Sequence, residues 1–133
     1  MNIIIIGCGK LGIDLITRLL NNGHRITVIA NAPDLEGVRR DFQLQVVAGN
    51  PVDDELLVRA GIEMAQAVLC VTSDEHLNLM LAQIAKSVHH VPYALAEITD
   101  PNLEQLCCKN GIGTVCPLRI EATHIVELLS KEA

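Results

Sequence analysis

The residues best suited to chemistry stand close to the start of the chain, in Gly7-Cys8-Gly9-Lys10-Leu11-Gly12. Glycines at this spacing clear space rather than react. Gly7 permits a tight turn, Gly9 lets the backbone approach a pyrophosphate, and Gly12 lets a helix pack closely on a strand. A helix opening here offers free N–H groups and the positive end of its dipole to a phosphate. Lys10 adds a cation. The chemistry implied is the binding of a phosphate-bearing ligand.

Residues for bond-making chemistry are scattered by comparison. His24 falls in a turn, His76 at the start of a helix, His89 and His90 at a helix end, and His124 in the last helix. The His89-His90 pair suits the negative end of a helix dipole and reads as a solvated cap rather than a metal site. Asp53, Asp54 and Glu55 read as charges that stabilise a helix N-terminus, with metal binding as the alternative. The five cysteines, Cys8, Cys70, Cys107, Cys108 and Cys116, are odd in number and contain no CxxC. Neither a disulfide framework nor a zinc site is signalled. Cys70 reads as a buried small hydrophobe, and Cys107-Cys108 as either the same or a redox pair. No nucleophile elbow, GKS/T loop or HExxH is present. No catalytic and no metal-ligating residue is expected.

The elements that must position the glycines alternate along the chain. Ile3 to Ile6 is a β-branched run that reads as a strand buried on both faces. A helix follows through Leu11, Ile13, Leu15, Ile16, Leu19 and Leu20, closed by Asn22-Gly23. Further strands are expected at Arg25–Ala30, Leu44–Ala48, Ala67–Val71, Tyr93–Ile98 and Thr114–Cys116. Further helices are expected at Pro33–Asp41, from Pro51 to Ala60, from Thr72-Ser73-Asp74 to about Val88, from Asp100-Pro101 to Asn110-Gly111, and over about Arg119 to Ser130. Leu77, Leu81, Ile84, Ala85 and Val88 are expected to make one apolar face of one of these, and Leu103, Leu106 and Cys107 to point inward from the next. Strict alternation with right-handed crossovers gives an α/β fold: a Rossmann-like, doubly wound, six-stranded parallel sheet in a single domain, residues 1–133. Its ligand crevice lies where the strand order reverses.

Composition agrees. Half of the 133 residues are hydrophobic but only Phe42 and Tyr93 are aromatic, so the core is aliphatic. The net charge of −6 argues against non-specific binding to nucleic acid or to an anionic membrane. The apolar runs are too short to span a bilayer, and Gly-Cys-Gly interrupts any signal-peptide pattern. A cytoplasmic protein is expected.

Taken together, the chain resembles the KTN/RCK (TrkA-N type) domain. That domain is the nucleotide-binding regulatory module of Trk-type and Ktr-type potassium uptake systems, potassium channels and efflux antiporters. The resemblance rests on IIIIGCGKLG, NNGHRITVI, VVAGNPVDDELLVRAGI, AVLCVTSDEHLNLMLAQIAK, EITDPNLEQLCCKNGI and VCPLRIEATHIVELL, and covers essentially the whole chain. It implies a cytoplasmic homodimer, in many members part of a larger ring, bound through a potassium-transporting membrane protein to the inner face of the cell membrane. It implies NAD(H) or AMP, ADP or ATP as ligand, and no catalysis. By the same resemblance the ligand contacts are Gly7, Cys8, Gly9, Lys10, Leu11 and Gly12 at the phosphates. Ala30 and Asn31 end the second strand, and Gly49 and Asn50 lie near the adenine. Thr72, Ser73 and Asp74 edge the crevice, with Asn78 in the next helix and Glu97 ending the fifth strand. For Asn50, Ser73 and Asp74 simple turn or capping chemistry is the alternative. The last helix, with Ile120, Ile125, Leu128 and Leu129, is expected in dimer contact. Its alternative is to cover its own sheet.

Three positions depart from the family pattern. An aspartate that holds the ribose hydroxyls is usual where Ala30 stands, and Asn31 lacks a carboxylate's charge-assisted bonds. No arginine at Asn31 or Ala32 welcomes a 2′-phosphate, so NADP is not favoured. Glu97 stands near a position where arginine is frequent, and Leu118 where a Pro-Glu pair is common. These departures set a mononucleotide beside NAD(H) as ligand. They keep open a ligand-free structural dimer module and, more remotely, a small NAD(P)-dependent oxidoreductase.

Overall fold

The computed structural model describes residues 1–35, 38, 41 and 43–132. Among them, strands β1 (Asn2–Ile6), β2 (Arg25–Ala30), β3 (Leu44–Ala48), β4 (Ala67–Cys70), β5 (Tyr93–Glu97) and β6 (Gly113–Val115) form one sheet. The strand order is β3-β2-β1-β4-β5-β6 and every neighbouring pair is parallel. The helices are α1 (Lys10–Asn21), α2 (Asp54–Arg59), α3 (Glu75–Ser87), α4 (Pro101–Lys109) and α5 (Pro117–Ser130).

The isoleucine run explains the centre of this sheet. Successive strand side chains point to opposite faces, so Ile3 and Ile5 enter the core beneath α1, with Ile16 and Leu20. Ile4 and Ile6 enter the opposite core, with Leu56 and Leu57 of α2, Leu81, Ala82 and Ala85 of α3, and Cys107 of α4. All four isoleucines are buried, each contributing about 1.5–3 kcal/mol of transfer free energy. Helices on both faces are what a fully apolar central strand requires.

Aspartates begin three of the helices. Asp53 Oδ1 accepts from Glu55 N at 3.0 Å, Asp74 Oδ1 from His76 N at 3.0 Å, and Asp100 Oδ1 from Asn102 N at 2.8 Å. This places the start of α2 three residues after Pro51, which lies in the preceding turn. Of the expected Pro33–Asp41 helix, the described part holds one 3-10 turn, Ala32–Leu35. Residues 36, 37, 39 and 40, and Phe42, lie outside the described residues.

Three expectations are corrected, and one alternative falls. Leu106 and Val88 are exposed, because Leu106 lies beside the narrow buried stripe of α4 that Cys107 marks, and Val88 follows the last residue of α3. His89 is no solvated cap: its side chain is buried and its Nε2 lies 2.8 Å from Asp54 Oδ1, tying the end of α3 to the start of α2. The last helix does not cover its own sheet. It begins at Pro117, buries none of its residues, and leaves Leu118, Ile120, Ile125, Val126, Leu128 and Leu129 exposed. Finally, β6 is one residue earlier than its expected bounds.

Candidate ligand crevice

The C-terminal ends of β1 and β4, neighbours across the point where the strand order reverses, open a crevice of about 800 Å³. This falls within the size range of small-molecule sites. At its floor β1 runs into Gly7, whose φ of +111° lies in the left-handed region. A Cβ on Gly7 would stand 2.7 Å from the Val71 carbonyl and 2.8 Å from Thr72 N. Only glycine lets the loop pass the end of β4. Gly12 has a different task. A Cβ there would meet the Gly7 oxygen at 2.6 Å, so its absence seats α1 on the loop.

Gly9 is unlike both. Its φ of −77° is open to any residue, and among the described residues no atom beyond its chain neighbours lies within 4 Å of where its Cβ would be. Neither the backbone nor the packing of this chain calls for glycine at that point. The space it leaves open is crevice space. Gly9 also begins α1 without any side-chain cap, and the first turn of α1 carries no acid. Where α2, α3 and α4 hold their opening N–H groups with aspartates, α1 turns its own toward the crevice. Unpaired N–H groups and a positive dipole end are an anion site, and Lys10 lines the same space.

The opposite wall is built by Thr72, Ser73, Asp74, Leu77 and Glu97. It is fixed from behind by Asn78, which is 1% exposed. Asn78 Oδ1 accepts from Thr72 N at 2.9 Å and Thr72 Oγ1 at 2.6 Å, and Nδ2 donates to Thr72 O at 3.1 Å and Glu97 O at 3.0 Å. One turn earlier, Glu75 Oε2 accepts from Thr99 N at 2.6 Å and Asp100 N at 3.2 Å. The ends of β4 and β5 are thus held to α3. A smaller polar recess, lined by Thr72, Ser73, Glu75, Asn78, Glu97 and Thr99, adjoins the crevice. Burial pushes the Glu97 carboxyl above the ordinary carboxylate range.

Of the positions expected as ligand contacts, Gly7, Cys8, Gly9, Lys10, Leu11, Ala30, Asn31, Thr72, Ser73, Asp74 and Glu97 line the crevice. Gly12, Gly49, Asn50 and Asn78 do not. Gly49 is glycine because its φ is +153° and a Cβ would collide with the Leu56 side chain. Asn50 turns the chain, its Oδ1 accepting from Val52 N at 3.0 Å. Asn78 spends both amide protons and its oxygen on Thr72 and Glu97, which makes it a structural residue of the wall. Crevice residues not anticipated include Asp14, Pro51, Pro117 and Glu121. Asp14 and Glu121 each stand four residues, about one helical turn, past a lining position, Lys10 and Pro117. That spacing was the available signal.

Two of the cysteines are poorly placed to react. Burial pushes the Cys70 thiol up to about 12, and burial followed by the Glu104 carboxylate raises Cys107. Thiolates, the reactive form, are disfavoured at both. Asp53 is occupied as a cap, and no group of three or more His, Cys, Asp or Glu side chains gathers to hold a metal ion.

The fold and the uncapped glycine loop define a Rossmann-like domain with an open crevice at its topological switch point. Comparison with known proteins assigns it more narrowly. The family model for the TrkA-N domain matches residues 3–117, and the chain belongs to this family. The Trk system potassium uptake protein TrkA of Streptomyces coelicolor is 32% identical over 130 residues, which is 97% of this chain and 58% of that protein. The chain therefore spans little more than half of that relative. Among solved structures, the AMP-bound C-terminal domain of Kef from Shewanella denitrificans superposes with a TM-score of 0.83 at 20% identity, covering 100% of this chain and 82% of that one. GsuK bound to ADP superposes at 0.84 with 22% identity, covering 99% and 34%. The GsuK channel bound to NAD does so at 0.75 with 21% identity, covering 90% and 22%.

Proposed function

We propose that this chain is a nucleotide-sensing regulatory domain of a potassium uptake or channel system. Its ligand is an adenine nucleotide, NAD(H) or AMP, ADP or ATP, taken in the crevice at Gly7–Gly12. The observation that carries this reading is Gly9, a glycine that the protein's own backbone and packing do not require, set at the uncapped start of α1. The residues present fit such a ligand. Main-chain N–H groups of Lys10 and its neighbours, with the Lys10 ammonium, suit the phosphates. Ala30 and Asn31 flank the side toward β2, and Thr72 and Ser73 the side toward β5. The AMP, ADP and NAD complexes of structural neighbours support the ligand class, and the Trk relative supports the transport role.

The working unit is a homodimer that contains α5, whose apolar residues find no cover within the chain. Higher rings are built from such dimers. The partner is a potassium-transporting membrane protein, and the domain sits against it at the cytoplasmic face. No described helix is long and apolar enough to cross a membrane. Pro117 and Glu121 of α5 line the crevice, so ligand and dimer contact share one helix. Regulation requires that the nucleotide bind two dimer states with different affinity.

A thermal-shift panel of NAD, NADH, NADP, AMP, ADP and ATP, with and without magnesium, tests the reading. A true ligand at a hundredfold excess over Kd adds about 2.7 kcal/mol of stability. The shift is lost in Gly9→Asp, which fills the phosphate position with a negative charge. No shift across the panel points instead to a ligand-free structural dimer module.

A further inference from the structure

We infer that Glu97 makes the crevice a selector of ligand charge, favouring the least anionic nucleotide and, between the nicotinamide dinucleotides, the oxidised form with its cationic ring. The inference rests on the nucleotide-binding reading above and names a preference that this reading leaves open.

The preference follows from where charge is placed in the crevice. Among the described residues lining the crevice, Lys10 carries a positive charge, while Asp14, Asp74, Glu97 and Glu121 carry carboxylates. Two of these are partly answered. Arg18 Nε donates to Asp14 Oδ2 at 2.9 Å, and Asp74 accepts the first N–H groups of α3. Glu121 is exposed on α5. Glu97 differs in being half-buried, where Coulomb interactions are less damped than in water.

Its place is also fixed. Asn78 holds the Glu97 carbonyl, Ile98 N donates to Val115 O at 2.9 Å, and Glu75 holds Thr99 and Asp100. This clamp fixes the main chain from which the carboxylate projects, so Glu97 stays anchored at the crevice wall.

Its side of the crevice decides which part of a ligand it meets. A dinucleotide lies across the switch point of a doubly wound sheet, one half on each side. Ala30 and Asn31 bound the β2 side, and Glu97, ending β5, bounds the other. With no carboxylate at Ala30 to hold ribose hydroxyls there, discrimination shifts to the Glu97 side. A cationic nicotinamide ring gains from a carboxylate; a neutral dihydronicotinamide does not. Extra phosphates on a mononucleotide lose for the same reason.

Equilibrium binding at pH 8 in EDTA, with NAD+, NADH, AMP and ATP, tests this on the unmodified chain and on Glu97→Gln, with Glu97→Ala as a second variant. The unmodified chain is expected to favour NAD+ over NADH, and AMP over ATP, on the order of tenfold each. Both variants bring each ratio to within about twofold, with NADH and ATP gaining. If only one of the two pairs binds, that pair's ratio decides. Ratios unchanged by the variants, or a preference for NADH or ATP, overturn the selector and leave nucleotide sensing standing. Absence of binding by all four to the unmodified chain overturns both.

Discussion

Asn78 grips Thr72 with both ends of its amide, accepting from the Thr72 N–H at 2.9 Å and hydroxyl at 2.6 Å and donating to its carbonyl at 3.1 Å. Its remaining proton reaches the Glu97 carbonyl at 3.0 Å. Every hydrogen-bonding position of a fully buried amide is therefore used to hold two crevice-forming strand ends to α3. Removing it leaves buried partners unsatisfied, at about 1–3 kcal/mol each. Asn78→Ala is expected to lose about 3–5 kcal/mol in urea denaturation. Asn78→Asp, which keeps the shape but removes both donors, is expected to lose a comparable amount. A neutral result for both would mean that the strand ends do not depend on this amide.

The glycines of the loop separate by substitution. Gly9→Ala or Gly9→Asp keeps the fold, since a Cβ there meets nothing and φ is ordinary. Gly7→Ala drives a Cβ into the backbone of β4's end at a positive φ, and is expected to cost on the order of 3 kcal/mol. Circular dichroism melts of the three variants check both statements.

Glu97 gives stability a pH dependence of definite sign. Its folded-state pKa lies above the ordinary 4.5 because burial disfavours the charged form. The native state therefore holds the proton more tightly than the unfolded chain does. The corresponding stabilisation is present below about pH 4.5 and is lost as pH rises through the folded-state value. At neutral pH the ionised side chain is a cost. Glu97→Gln is expected to raise Tm at pH 7, with the gain vanishing near pH 4. Asp74, Glu75 and Glu121 are further carboxylates in or beside the crevice, so the comparison is made against the unmodified chain at each pH.

Along the chain, legibility followed burial. The run Ile3–Ile6 could only be a central strand, and the parallel sheet, its strands and the capping aspartates follow from patterns that local physics dictates. Partners were harder to read. Asn78 carries the same residue type whether it meets a ligand or a strand end, and only the fold shows its amide fully spent. His89 looked like a helix-end charge until α2 was placed beside it. Val88 and Leu106 satisfy helical periodicity yet face solvent, since periodicity marks an apolar stripe without giving its width. For α5 the stripe was plain in the sequence, while its lack of cover within the chain was not.

That uncovered stripe carries its own expectation. Leu128→Glu with Leu129→Glu changes two side chains that are 49% and 65% exposed. The fold of the single chain is expected to survive, and a dimer seen by light scattering to fall to monomer. A dimer that persists would place the contact elsewhere.

Thiol labelling offers a check on the core. Cys108 is exposed, whereas Cys70 and Cys107 are buried with raised thiol pKa values. A thiol-reactive probe at pH 8 is expected to modify Cys108 readily, and Cys70 and Cys107 only on unfolding. Mass spectrometry of the labelled peptides gives the order.

The central claim is that the space left by Gly9 belongs to a nucleotide. Titration calorimetry of the unmodified chain and of Gly9→Asp with the adenine nucleotides tests it most directly. The account predicts saturable binding of at least one of them, abolished by Gly9→Asp while the variant keeps its melting transition. Binding that survives in folded Gly9→Asp, or no binding to the unmodified chain, contradicts it.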